Sequence, residues 1–223
     1  MLFALITAIM TVTAKGRSAP AAALAEESPR VLVIDAGHGG LDGGAVTPDG
    51  RKESELNLEI AGRLYDLSRL LGIRCLMTRS SESLPYPPDK ASVREKKTWD
   101  QQRRSALVNA TEGAVLLSIH QNHYPDERPS GTQVLYGKAD GSEAFAGIAQ
   151  ELLRHNLCPE NRRLAVPASD TIYLMRSVSC PAILVECGFL SNSEEAQKLA
   201  SSGYQKEIAV VLCASYISYT GTA

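Results

Sequence analysis

A chain of 223 residues, 44% hydrophobic and 22% charged, can bury the core of one sizeable α/β domain, and this balance excludes a disordered chain or a polytopic membrane protein. The formal net charge of −2 supplies no basic surface for nucleic-acid phosphates. The five cysteines form an odd set without C-x-x-C spacing, which suggests neither a zinc ribbon nor a disulfide framework.

In chain order, Leu2 to Ala14 is an uncharged apolar run, shorter than the roughly 20 residues of a membrane-spanning helix but suited to the core of a signal peptide. Ala23-Leu24-Ala25 offers a cleavage site, although the basic residues Lys15 and Arg17 follow the run instead of preceding it. The expectation is a signal peptide or short membrane anchor over residues 1–25, a linker over 26–29 and a single domain over 30–220. Any membrane contact is assigned to the N-terminal segment alone, and the domain is expected to be exported.

From residue 30 strand-like and helix-like segments alternate. The expected fold class is α/β: a mostly parallel, mixed, twisted sheet of about six strands with helices on both faces. Strands are expected at Val31–Asp35, Ile73–Thr78, Val115–His120, Thr132–Tyr136, Thr171–Met175 and Ala182–Glu186. Ser54 reads as the N-cap of a helix whose residues Leu56, Ile60, Leu64, Leu67 and Leu71 recur at helical spacing up to Gly72. Further helices are expected at Asp100–Ala110, Ser142–Leu157 and Tyr204–Ser218. The basic groups Arg94 to Lys97 and Arg103-Arg104 read as solvated helix faces. Leu84 to Asp89, with three prolines, must be a loop or extended excursion near the substrate entrance.

Side chains at the carboxyl ends of such strands converge on one crevice. The first strand delivers Asp35 and His38, the third ends in Ser118-Ile119-His120-Gln121-Asn122-His123, and the penultimate one ends in Val185-Glu186-Cys187-Gly188. Two imidazoles and a carboxylate brought from separate segments form a zinc-hydrolase set with one coordination position open. His38, Glu53 and His120 meet that requirement, and Glu186 remains as a free carboxylate. Asp35 would orient His38 or cap the turn. His123 competes as a ligand, and His155 is expected on the surface. The turn G-H-G-G-L-D-G-G matches neither G-x-G-x-x-G nor a P-loop, and neither Ser118 nor Cys187 has a nucleophile-elbow context.

Four segments in order, D-A-G-H-G-G-L-D-G-G-A, R-K-E-S-E-L-N-L-E-I-A, L-L-S-I-H-Q-N and I-L-V-E-C-G-F-L-S-N-S-E-E, resemble the signatures of zinc-dependent N-acetylmuramoyl-L-alanine amidases of the amidase type 3 family. The likeness spans residues 30–219. It implies one zinc ion held by His38, Glu53 and His120, Glu186 as general acid and base, and hydrolysis of the amide between N-acetylmuramic acid and L-alanine of peptidoglycan. Arg79, Arg103 and Asn122 become candidates for binding substrate. The chain departs from the family pattern at Ala36, where proline is frequent, and at His123, where a small residue is common. The small size, short apolar N-terminus and lack of wall-binding repeats resemble the branch that forms muramic lactam in spore cortex. An accessory protein partner is left open. The alternatives are a zinc carboxypeptidase and a non-catalytic wall-binding module.

Overall fold

A computed structural model describes residues 29–222. The expected N-terminal segment 1–25 and most of the 26–29 linker lie outside the described residues. Among the described residues no helix is long and apolar enough to cross a membrane.

Six strands, β1 (Val31–Ala36), β2 (Cys75–Met77), β3 (Ala114–Asn122), β4 (Gln133–Tyr136), β5 (Val166–Pro167) and β6 (Ala182–Phe189), form one sheet in the order β2-β1-β3-β6-β4-β5. β2, β1, β3 and β6 are parallel, whereas β4 runs antiparallel to β6 and carries β5 with it, so the sheet is mixed as expected. The helices are α1 (Glu53–Leu70), α2 (Val93–Asn109), α3 (Ser142–Leu157), α4 (Tyr173–Ser177), α5 (Ser193–Ala200) and α6 (Ser202–Thr222). All six residues of β1 are buried, because a central parallel strand is covered on both faces and needs no polar alternation.

The two faces divide the core. Leu32 and Ile34 of β1, Leu117 of β3 and Ile183 of β6 pack against Leu56, Ile60 and Leu64 of α1, Phe145 of α3 and Leu212 of α6. Val33, Leu116 and Leu184 point the other way, to Val108 of α2 and to Leu174 and Met175 of α4. The side-chain period of two then dictates that Asp35, Ser118, His120 and Glu186 share the α2 face, where they would meet as buried polar groups.

Several boundaries differ from expectation for physical reasons. The N-cap of α1 is Lys52, and Ser54 lies inside the first turn, where its hydroxyl donates to Glu82 Oε2 at 2.9 Å. α2 starts seven residues before Asp100, at Val93, because Ser92 and Glu95 form a reciprocal capping box. Thr171–Met175 is not a strand: Ile172 caps the short helix α4. The sheet's sixth strand is instead the two-residue β5. α5 went unpredicted, although Asn192 accepts from the backbone N–H groups of Glu194 and Glu195 as a helix cap does.

Candidate active site

β1, β3 and β6 are parallel and end together, and from β1 the chain winds to β2 on one side and β3 on the other. Such a switch point leaves a crevice at the strands' carboxyl ends. His38 sits just past β1 and is the only described non-glycine residue with positive φ, at 60°. That strained conformation persists where its surroundings hold it. Gly37 N donates to Ile119 O at 3.0 Å, Gly39 and Asp42 exchange backbone hydrogen bonds of 2.8 and 3.1 Å, and the Arg104 guanidinium donates to the His38 carbonyl. Gly37 is required by close approach, since a Cβ there would lie 2.3 Å from His120 Nε2.

Glu53, the first residue of α1, lies at the centre of the cluster. Its Oε1 is 3.3 Å from His38 Nε2 and 3.1 Å from His120 Nδ1, and it accepts from Gln121 N at 3.0 Å, while Oε2 accepts from Ala45 N at 3.0 Å. Burial alone would raise the Glu53 pKa; hydrogen bonds and charge from His120 and His38 outweigh it and hold the carboxyl well below the usual range. Asp42 Oδ2 lies 3.1 Å from His38 Nδ1. For His38 too, burial opposes the net shift, but Asp42 and Glu53 together raise the imidazole to about 9.

One donor atom from each of His38, Glu53 and His120 lies within 4.8 Å of the others. The set fits a zinc ion: two imidazoles and one carboxylate from three segments, with room for a fourth ligand. The tendency of His38 to keep a proton between two carboxylates marks a local excess of negative charge that a dication would neutralise.

Glu186 is the register partner of His120 across β3 and β6. Its Oε2 is enclosed and has no hydrogen-bond partner. Burial, reinforced by the charge of Glu53 and opposed by His120 and His38, pushes its carboxyl up to about 7. The adjoining cleft is walled by Tyr86 from the proline-rich loop, by α2 and by the segment from Thr171 to Leu174.

The structure gathers His38, Glu53, His120 and Glu186 and disperses several other expected site residues. Asp35 does not orient His38. It accepts from Thr78 and Ser118 at 2.6 Å each and from Arg104 at 2.9 Å, and although burial works against it, Arg104 and the hydroxyls lower its pKa to about 2. Asp42 lies against the His38 ring instead, as an ion-pair contact outside hydrogen-bond geometry, and His38 Nδ1 makes no hydrogen bond. Arg79 has no N–H left for a peptide carboxylate: its five donors go to the carbonyls of Ala36, Gly37, Ser54 and Ser81 and to Glu82, and its side chain is 1% exposed. Arg103 donates to Thr78 O at 3.0 Å and lies over the Trp99 ring, outside the cleft lining. Asn122 ends β3 beyond an irregularity in its pairing with β6 and is not part of the His38, Glu53 and His120 cluster. His123 is exposed and apart from the candidate metal cluster, and His155 is exposed as expected. Arg104, read as solvated, is buried between Asp35 and Asp100. Ser118 is committed to Asp35, and burial pushes the Cys187 thiol far up, so neither is an activated nucleophile.

A family model described as N-acetylmuramoyl-L-alanine amidase matches residues 32–215. The chain is 36% identical over 195 residues to the germination-specific N-acetylmuramoyl-L-alanine amidase of Bacillus subtilis (strain 168), which covers 86% of this chain and 80% of that protein. The solved structure of the CwlD amidase from Clostridioides difficile in complex with the GerS lipoprotein matches with a TM-score of 0.83 and 30% identity, covering 87% of this chain and 100% of that one. An N-acetylmuramoyl-L-alanine amidase from Clostridium difficile 630 matches with a TM-score of 0.74 and 28% identity, covering 86% and 97%. The matched span contains all four clustered residues, and the likeness extends over the whole sheet and its helices: this chain belongs to the N-acetylmuramoyl-L-alanine amidase family of enzymes.

Proposed function

We propose that this enzyme cleaves the amide joining the lactyl group of N-acetylmuramic acid to L-alanine of the stem peptide, with His38, Glu53 and His120 holding one zinc ion and Glu186 as general base and acid. The observation that carries the reading is the pairing of His120 with Glu186 on neighbouring strands, beside a three-donor cluster centred on Glu53. Zinc, when bound, supplies a Lewis acid that polarises the amide carbonyl and acidifies a nearby water. Glu186 takes the proton of the attacking water and returns it to the leaving L-alanine nitrogen; its partnerless Oε2 is free to do so. Asp42 sets a negative charge beside His38 Nδ1, and Arg104 holds the His38 carbonyl, so the ligand turn keeps its shape through turnover.

The likeness to a germination-specific relative supports a role on spore cortex, where the product would feed muramic-lactam formation by a deacetylase. Such a role would be carried out outside the cytoplasmic membrane. The solved relative bound to a lipoprotein supports an accessory partner for this chain as well.

Incubation with purified peptidoglycan, with and without chelator, tests the reaction. Free stem peptides that vanish with chelator are expected; released terminal amino acids would mean a carboxypeptidase, and no products a binding module. Glu186→Ala is expected to keep zinc and lose at least roughly 100-fold in rate, whereas His38→Ala and His120→Ala lose both zinc and activity. Wild-type rates in Glu186→Ala would refute the assigned mechanism.

A further inference from the structure

One oxygen of Asp42 serves two cationic groups: Oδ2 lies 3.1 Å from His38 Nδ1 and 2.8 Å from Lys97 Nζ. Lys97 belongs to α2, and Lys97, Asp100, Gln101 and Arg104 follow helical spacing along the stripe that faces the cleft. Asp100 is engaged by Arg103 and Arg104, and the acid that pairs with Lys97 is the one whose charge also faces His38. We infer that Lys97 is a positioning residue that loosens the grip of this chain on its metal by drawing on Asp42. The inference rests on the proposed role of His38 as a metal ligand.

The physical basis is a competition for the charge of one carboxylate. An imidazole that points Nε2 at a metal is a stronger donor when a carboxylate lies against its Nδ1 side, and Asp42, although it makes no hydrogen bond to Nδ1, holds its negative charge 3.1 Å from it. An ammonium on the same carboxylate oxygen offsets that charge. Direct repulsion between Lys97 and a dication would act in the same sense, but only the first route passes through Asp42. With side-chain exposures of 48% for Lys97 and 25% for Asp42, solvent screens the pair, so the effect is modest.

The test is the zinc dissociation constant of the full-length chain, read by competition with a chromophoric chelator at fixed pH and ionic strength. K97M should bind zinc roughly threefold more tightly, K97R should match wild type, and D42N should bind about 10- to 100-fold more weakly. In the D42N background K97M should change nothing. Equal tightening by K97M in both backgrounds would assign the effect to direct repulsion and overturn the route through Asp42. Unchanged zinc affinity in K97M with a raised KM for muropeptides would make Lys97 a substrate contact and also overturn it. A wild-type chain that binds no zinc would instead remove the metal reading on which the inference rests. Melting curves of the metal-free variants check their folds, and Asp42→Ser supplies the second background should D42N not fold.

Discussion

As the proposed general base Glu186 must be ionised to accept a proton, yet its enclosure raises its pKa to about 7. In the metal-free chain it is therefore half-protonated near neutrality, and a bound dication would pull the value lower. The acidic limb of kcat/KM is accordingly expected below pH 7, falling tenfold per pH unit, and it should disappear in the residual activity of Glu186→Gln; a limb above pH 7 would contradict this role. Gly37 makes the opposite kind of contribution, by lacking an atom. Gly37→Ala is expected to displace His120 and weaken zinc binding, measured by titration, because its Cβ would fall inside the imidazole's van der Waals radius. Arg79 is a brace for the same turn. Arg79→Met should lower unfolding stability by roughly 3 kcal/mol in denaturant melts, since it strands buried carbonyls, whereas an arginine serving only substrate would leave stability unchanged and raise KM.

At the scale of elements, Arg104 ties α2 to the end of β1 through Asp35. The Asp35 pKa of about 2 lies below its ordinary 3.8, so the unfolded chain binds the proton more tightly and ionised Asp35 stabilises the fold. That contribution, roughly 2 kcal/mol, is complete above pH 4 and lost as pH falls through 2; urea melts across this range should show it in wild type and not in Asp35→Asn. The same tie explains what sequence could reveal. β1, β3 and β6 were legible as apolar runs ending in polar residues, and α1 and α3 by apolar spacing, because burial leaves a periodic trace. The first half of α2 left none, since its inward-facing Lys97 is paired with Asp42, a partner distant in sequence, just as Arg104 farther along the helix is paired with Asp35. His38, Glu53, His120 and Glu186 were legible because strand and helix ends advertise them. Asp42 and Lys97 were not assigned because their meaning lies in a pairing across 55 residues of chain. Thr171–Met175 reads as a strand from its β-prone side chains, but Leu174 and Met175 bury themselves equally well from one helical turn.

For the whole molecule, the proposed metal site joins the β1 turn, the start of α1 and the end of β3, three segments that meet only in the folded state. Zinc should therefore stabilise the fold by mass action, about 4 kcal/mol at a thousandfold excess over Kd. The expected observation is a melting temperature that rises with zinc in wild type and stays fixed in His120→Ala.

The rung that pairs His120 with Glu186 is followed at once by a break in the β3–β6 register. Strand side chains alternate faces, so the meeting of His120 with Glu186 obeys a parity rule. A single-residue deletion in β3 upstream of His120, or in β6 upstream of Glu186, would turn one partner to the α1 face while leaving the sheet's hydrogen bonds largely intact. Length changes between Asn122 and Ala182 carry no such parity. Natural variation in chain length within this family should thus accumulate in that intervening segment and avoid the two strands, leaving the rung as a fixed point around which the rest of the chain can be rewritten.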